Sequence, residues 1–211
     1  METIEYKPLR KENYDALYRL IESVWGYHDY TDDEATRQLF VHLDALHSFI
    51  ESNYGELAYL NGEVVGALLG TTKKRSNPLA NLRMKTQLFI ASFKLLAKGK
   101  HAAQGLNAFR RIGKIYKQME KDAEKMHAEV KLFVTHPGAQ GRGIGTKLMD
   151  TFLTHVRNKG IERVFLFTDT DCTYQYYDHK NFTRLDAKAL TFDVKDRQKT
   201  MEVYMYAKTL K

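Results

Sequence analysis

The chain is predicted to adopt an α/β (α+β) fold, a mixed central sheet of about seven strands flanked by helices. Three observations predict it. Short apolar or alternating runs recur along the whole length, and amphipathic stripes of helical period separate several of them. One succession of strand, glycine-rich loop, helix and strand also demands a parallel pair, because such crossovers are right-handed and need a helix between their strands. At 211 residues, 43% of them hydrophobic, the chain suits one domain with an elaboration and can bury a sizeable core.

The elements follow in order. Ile4-Glu5-Tyr6-Lys7-Pro8-Leu9 alternates as a short strand ending near Pro8, which cannot donate to a ladder. Asn13 to Trp25 reads as a helix with Leu17, Leu20, Ile21 and Val24 on one side. Thr31-Asp32-Asp33-Glu34 has capping-box spacing and is expected to start a second helix, striped by Ala35, Leu39, Leu43, Leu46 and Phe49 or Ile50. Tyr54-Gly55 is expected to close that helix region. Asn61-Gly62 between two apolar runs then signals a tight hairpin, since both turn positions need positive φ.

After Pro78 the period becomes helical. Leu79, Leu82, Thr86, Phe89, Phe93 and Leu96 form one stripe; Phe109, Ile112, Tyr116, Met119, Ala123 and Met126 form another, with Lys98-Gly99-Lys100 between. The reading is an antiparallel pair packed along matching seams, inserted at about residues 77–127 between the third and fourth strands. Glu129 to Thr135 is an apolar strand and Thr146 to Lys159 a helix stopped by Gly160. Ile161 to Thr168 is the next strand, and a short helix near Thr173 to His179 follows. Two terminal strands, about Thr183–Phe192 and Lys199–Ala207, complete the chain.

Composition excludes several classes. No apolar run approaches a membrane span, and the first residues lack the basic and apolar regions of a secretory signal, so a cytoplasmic protein is expected. The single cysteine, Cys172, rules out a disulfide framework, and no histidine has a companion at ligand spacing, so no metal is expected. The net charge of +7 is concentrated: residues 73–127 hold 14 Lys/Arg against 3 Asp/Glu, a local +11, which leaves 7 − 11 = −4 for the rest. The basicity belongs to one segment.

Gly138, Gly141, Gly143 and Gly145 lie within eight residues between the apolar strand and the amphipathic helix. Such glycines let backbone N–H groups converge on an anion, and the helix adds its unsatisfied donors and positive dipole end. Arg142 and Lys147 add charge. A nucleotide-hydrolase loop would need Lys-Ser/Thr after its last glycine, but Ile144 follows Gly143; the dinucleotide fingerprint fails in register at Leu148. The context fits a diphosphate better than a carboxylate, and neither of these two motifs names the ligand.

These residues resemble the Gcn5-related N-acetyltransferase (GNAT) superfamily. Its pyrophosphate motif, Gln or Arg, two residues, Gly, one residue, Gly or Ala, is matched by Gln140, Gly143 and Gly145. The setting matches too: Leu132-Phe133-Val134, then Pro137, loop, helix and strand. Downstream, Tyr177-Asp178-His179-Lys180-Asn181-Phe182 resembles the family's Tyr-x-x-x-Gly-Phe segment, with Asn181 in place of Gly. The resemblance covers about Glu129–Phe182 and is absent from the basic helical pair. It implies an N-acyltransferase that takes acetyl-CoA as co-substrate, in direct transfer to a primary amine. It implies CoA contacts from Phe133, Val134, Thr135, Gln140, Gly141, Arg142, Gly143, Ile144, Gly145 and Thr146, and from Asp171, a position often held by Asn. The N–H near Val134 would meet the oxyanion.

The resemblance also implies catalytic roles. Tyr177 would be the general acid beside the CoA sulfur, its alternative being an aromatic packed on the sheet. Glu129 would be the base, often acting through water, its alternative a solvated glutamate at a strand start. Trp25, Tyr27, His28 and Tyr30 fall where the superfamily walls its acceptor pocket, although a hydrophobic staple explains them too. If the basic pair is functional, it is expected to select an amine bearing a carboxylate or phosphate; otherwise it is a solvated face. Nucleic acid is not expected as a partner, and a homodimer is left open. The rival class is a non-catalytic CoA-binding sensor or nucleic-acid-associated module on the same fold.

Overall fold

The computed structural model describes residues 3–25, 27–72, 82–123 and 126–210, of Asp122 the backbone alone. Seven strands form one sheet in the order β1-β2-β3-β4-β5-β7-β6. β1 (Ile4–Pro8), β2 (Tyr54–Leu60), β3 (Glu63–Thr71) and β4 (Ala128–Thr135) pair antiparallel in succession. β5 (Arg163–Asp169) is parallel to β4, and β6 (Thr183–Val194) and β7 (Arg197–Thr209) form the terminal hairpin, with β7 against β5. The predicted mixed sheet is therefore the observed one.

Helices cover both faces. On one side, α1 (Tyr14–Trp25) and α2 (Glu34–Glu51) share a core with Leu57, Ala67, Leu69, Leu132 and Val134. On the other, α5 (Ile144–Asn158) buries Leu148, Met149, Phe152 and Val156 against Leu68, Val130, Val164 and Leu166. α6 (Gln175–His179) is short and carries Tyr177 into that second core. The hairpin turn forms as the sequence requires, with Asn61 at φ 51° and Gly62 at φ 86°.

Three boundaries differ from expectation. The cap of α2 is Asp33, whose side chain accepts from the Thr36 N–H at 2.9 Å, whereas the Thr31 hydroxyl accepts from the Asp33 N–H; the carboxylate sits two residues closer to the helix and outcompetes the hydroxyl. Tyr54-Gly55 opens β2 rather than closing α2, which ends at Glu51. The terminal strands run to Val194 and resume at Arg197, because Lys195 and Asp196 take positive φ (47° and 60°) and make a two-residue turn without glycine.

The helical pair between β3 and β4 consists of α3 (Leu82–Ala97) and α4 (Lys100–Met119); the expected stripe residue Leu79 lies outside the described residues. The matching seams are not observed. α4 turns Ile115 and Met119 onto the sheet, into a third core with Phe165, Leu190, Phe192, Val203 and Met205. α3 buries Ala91 and Leu95 and packs Met84 and Leu88 inward, while its expected seam residues Leu82, Phe89, Phe93 and Leu96 face solvent. The stripe reading named residues sharing a face. It could not say which of two apolar faces the fold would cover.

Candidate active site

The site is built where β4 and β5 part. They pair only at Ala128↔Val164, Glu129↔Phe165 and Val130↔Leu166; beyond, β4 stays on β3 and β5 on β7, leaving a gap between two central strands. A bulge marks the parting, for the β3–β4 register steps from Gly70↔Val130 to Leu69↔Leu132 and leaves Lys131 extra. Its effect on side chains is direct. Glu129 and Lys131 face the α2 side, and so do Leu132 and Val134 after the extra residue, whereas Phe133 packs with the α5 core. The His136 N–H donates to Val65 C=O at 2.8 Å. Strand alternation then aims the Val134 N–H at β3, and those of Phe133 and Thr135 into the gap.

The loop after β4 enters α5 through two left-handed glycines, Gly141 (φ 76°) and Gly143 (φ 73°), a conformation that costs an L side chain about 1–2 kcal/mol. Gly143 is the helix N-cap, and its C=O accepts the first intrahelical bond, from the Lys147 N–H at 2.9 Å. The N–H groups of Ile144, Gly145 and Thr146 therefore have no acceptor inside the helix. Ile144 is buried and anchors the turn; Gln140, Gly141, Arg142 and Gly143 are exposed along it. A Cβ on Gly143 would meet no protein atom within 4 Å. Open donors around unobstructed glycines fit a diphosphate.

Tyr177 lies at the gap's other wall. It is 8% exposed and ringed by Phe133 (centroids 6.5 Å), Tyr176, Phe182 and Tyr206. Burial, with Cys172 next, holds its phenol far above the usual value, so it keeps its proton, and no described residue hydrogen-bonds its hydroxyl. The neighbouring Tyr176 hydroxyl instead donates to Gly145 C=O at 3.3 Å and ties α6 to the start of α5. Asn181 takes φ 57°, in the left-handed region that Asn tolerates.

Glu129 is 8% exposed rather than solvated. Burial raises its carboxyl to about 7 against the opposing pull of Lys131, whose Nζ lies 2.5 Å from it and 2.6 Å from Glu51 Oε2. Lys131 itself stays charged. The expected acceptor wall separates into parts. Tyr27, buried and at φ 52°, donates to Asp44 Oδ2 at 2.8 Å; Tyr30 packs with it against Phe40 and Phe109; Trp25 is half-buried against the same core; His28 is exposed. Asp171 is held by Lys199 at 2.7 Å, which also meets Asp29 at 2.7 Å.

Sequence reasoning missed Lys131, Glu51 and Asp44, and it missed Tyr116, stacked on Phe167 at 4.4 Å. Lys131 had a signal, two residues after Glu129 on one strand face; the others join the site only through tertiary packing. Tyr116 lies within electrostatic reach of several of these acidic groups. Its phenol is pushed up chiefly by burial and further by the neighbouring acidic groups Asp169, Cys172, Asp44 and Glu129. Among the described residues, no cluster of three His, Cys, Asp or Glu side chains could hold a metal, and no helix is long and apolar enough to cross a membrane.

A seven-stranded sheet that splays at a β-bulge beside a glycine-capped helix is the arrangement expected from the resemblance to the N-acetyltransferase superfamily. A family model for the acetyltransferase (GNAT) family matches residues 14–176, and the chain belongs to that family. Solved structures agree in fold. An agmatine N-acetyltransferase variant in apo form is similar at TM-score 0.60 and 12% identity, covering 98% of this chain and 99% of its own. An acetyltransferase of the family from Staphylococcus aureus is similar at TM-score 0.56 and 14% identity, covering 99% and 100%. The ribosomal-protein-S18-alanine N-acetyltransferase of Escherichia coli is similar at TM-score 0.55 and 10% identity, covering 98% and 94%. No curated protein sequence matches significantly.

Proposed function

We propose that the chain transfers acetyl from acetyl-CoA to a primary amine, by direct attack with both substrates bound. One observation carries this reading: β4 and β5 part after Val130, and Phe133, on β4 beyond the parting, packs near both Gly145 at the start of α5 and Tyr177, whose hydroxyl no described residue hydrogen-bonds. CoA supplies a thioester, a carbonyl already activated toward nitrogen. Gly141, Arg142, Gly143 and the N–H groups of Ile144, Gly145 and Thr146 hold its diphosphate, with Gln140 at the mouth and Phe133, Val134 and Thr135 along the gap. The N–H of Phe133 or Thr135, not that of Val134, faces the developing oxyanion.

Glu129 takes the proton that the amine loses as the new carbon–nitrogen bond forms, directly or through one water. Tyr177 donates its proton to the sulfur as the carbon–sulfur bond breaks. Tyr27, Tyr30, Trp25 and His28 border the acceptor, with Asp171 beside them. The carboxylates around Tyr116 favour a cationic acceptor over the carboxylate- or phosphate-bearing amine that the basic helical pair suggests, because an anion would be repelled there.

The test is thiol release from acetyl-CoA across amines, diamines, guanidino amines and peptides, including agmatine and an N-terminal alanine peptide. Release with a cationic amine is expected. CoA binding without release on any acceptor would favour a CoA-binding sensor instead, and absence of CoA binding would end both readings.

A further inference from the structure

We propose that the outer face of α3 docks in the plane of an anionic phospholipid bilayer. Six large hydrophobic side chains are exposed among the described residues, and five of them, Leu82, Phe89, Ile90, Phe93 and Leu96, lie on this one helix. Phe89 and Phe93 are 73% and 67% exposed. At about 100° per residue these five side chains span a single stripe, with Thr86 and Ala97 inside it. Isolated exposed apolar residues need no partner, but a continuous aromatic and aliphatic stripe marks an interaction surface.

Charge selects the occupant. Arg83 and Lys94 are exposed along one margin of the stripe. From Leu82 to Met119 the sequence has nine Lys/Arg and no Asp/Glu. A second copy set against this face would bring two such segments together, like charge on like charge. Nucleic acid would satisfy the cations and leave Leu82, Ile90 and Leu96 in water. An anionic lipid surface satisfies both, with the apolar stripe in the acyl boundary and the cations among the headgroups. The helix has 16 residues, about 24 Å, and lies along the surface rather than across it. The inner face, with Ala91 and Leu95, already holds α3 to the body, so docking needs no rearrangement of the fold.

The experiment is co-sedimentation of the full chain with phosphatidylcholine vesicles, with and without phosphatidylglycerol. Partitioning onto the phosphatidylglycerol vesicles is expected, weakened about tenfold or more in Phe89→Ser/Phe93→Ser. It should also weaken in Arg83→Glu/Lys94→Glu, each variant melting as the wild type does because the altered side chains are exposed. Equal binding to both vesicle types overturns the proposal, as does binding that survives the phenylalanine substitutions. So does a dimer in analytical ultracentrifugation that those substitutions dissociate. This inference stands apart from the acetyltransferase reading and fails or holds without it.

Discussion

Tyr177 packs on the α5 side of the sheet and Glu129 on the α2 side, and their environments suit the opposite tasks proposed for them. The buried phenol keeps its proton at neutral pH and has no acceptor among the described residues. Tyr177→Phe is expected to lower kcat by about a hundredfold or more, with CoA affinity near wild type, when turnover and calorimetry are measured together. An unchanged kcat would return Tyr177 to simple packing. Glu129 is raised to about 7, and only its ionised form accepts a proton. Turnover should therefore rise as pH climbs through about 7 and level off above it, and Glu129→Gln should remove that rise; the check is a pH profile of kcat/KM. Both residues were singled out in the sequence through the family resemblance, Tyr177 by its motif and Glu129 by its place before the glycine-rich loop. What tunes Glu129 was less so. Glu51 stands far off in sequence and reaches Lys131 only because α2 ends beside the bulge.

The strand–loop–helix element was legible in kind, for glycine is the one residue that takes φ near +75° without penalty. Gly143→Val is expected to weaken CoA binding by about tenfold or more in calorimetry, by straining the cap and filling the approach to the helix N–H groups. A folded variant with unchanged affinity would place the ligand elsewhere. The helical pair shows the other side of element-level reading. Its helices do pack on each other but not along the expected seam, for α3 turns Ala91 and Leu95 inward and α4 seats Gly105 where a Cβ would stand 2.5 Å from Phe40 Cζ and 3.1 Å from Tyr30 Cδ1. Gly105→Val should destabilise the protein by about 1–3 kcal/mol, read as a lower urea midpoint at unchanged slope. An unchanged midpoint would mean that α4 is not seated there.

At the scale of the molecule, charged side chains link the β6–β7 hairpin to distant elements. Asp196 at its tip meets Lys100 at 2.5 Å and His101 at 3.0 Å of α4; Lys195 and Lys199 reach Asp32 and Asp29 ahead of α2. These cations hold the Asp196 carboxyl down to about 2 and those of Asp29 and Asp32 below their ordinary value. Depressed carboxylates stabilise the fold above their unfolded value, about 4, and lose that contribution as pH falls toward their folded values. Thermal melting should therefore decline most between about pH 4 and 2, and Asp196→Asn should blunt the decline. The pairs are exposed, so the effect is modest and shrinks in salt.

The chain by itself determined the kind of sheet and the left-handed glycines that open α5, because each depends on neighbours in sequence, and it marked Tyr177 through a family resemblance. Only the tertiary structure decided which strand N–H groups face the gap, which carboxylates surround Tyr116 and which face of α3 is left uncovered. Those follow from one extra residue at the bulge and from packing between elements far apart in the chain. Local periodicity carries no information about either.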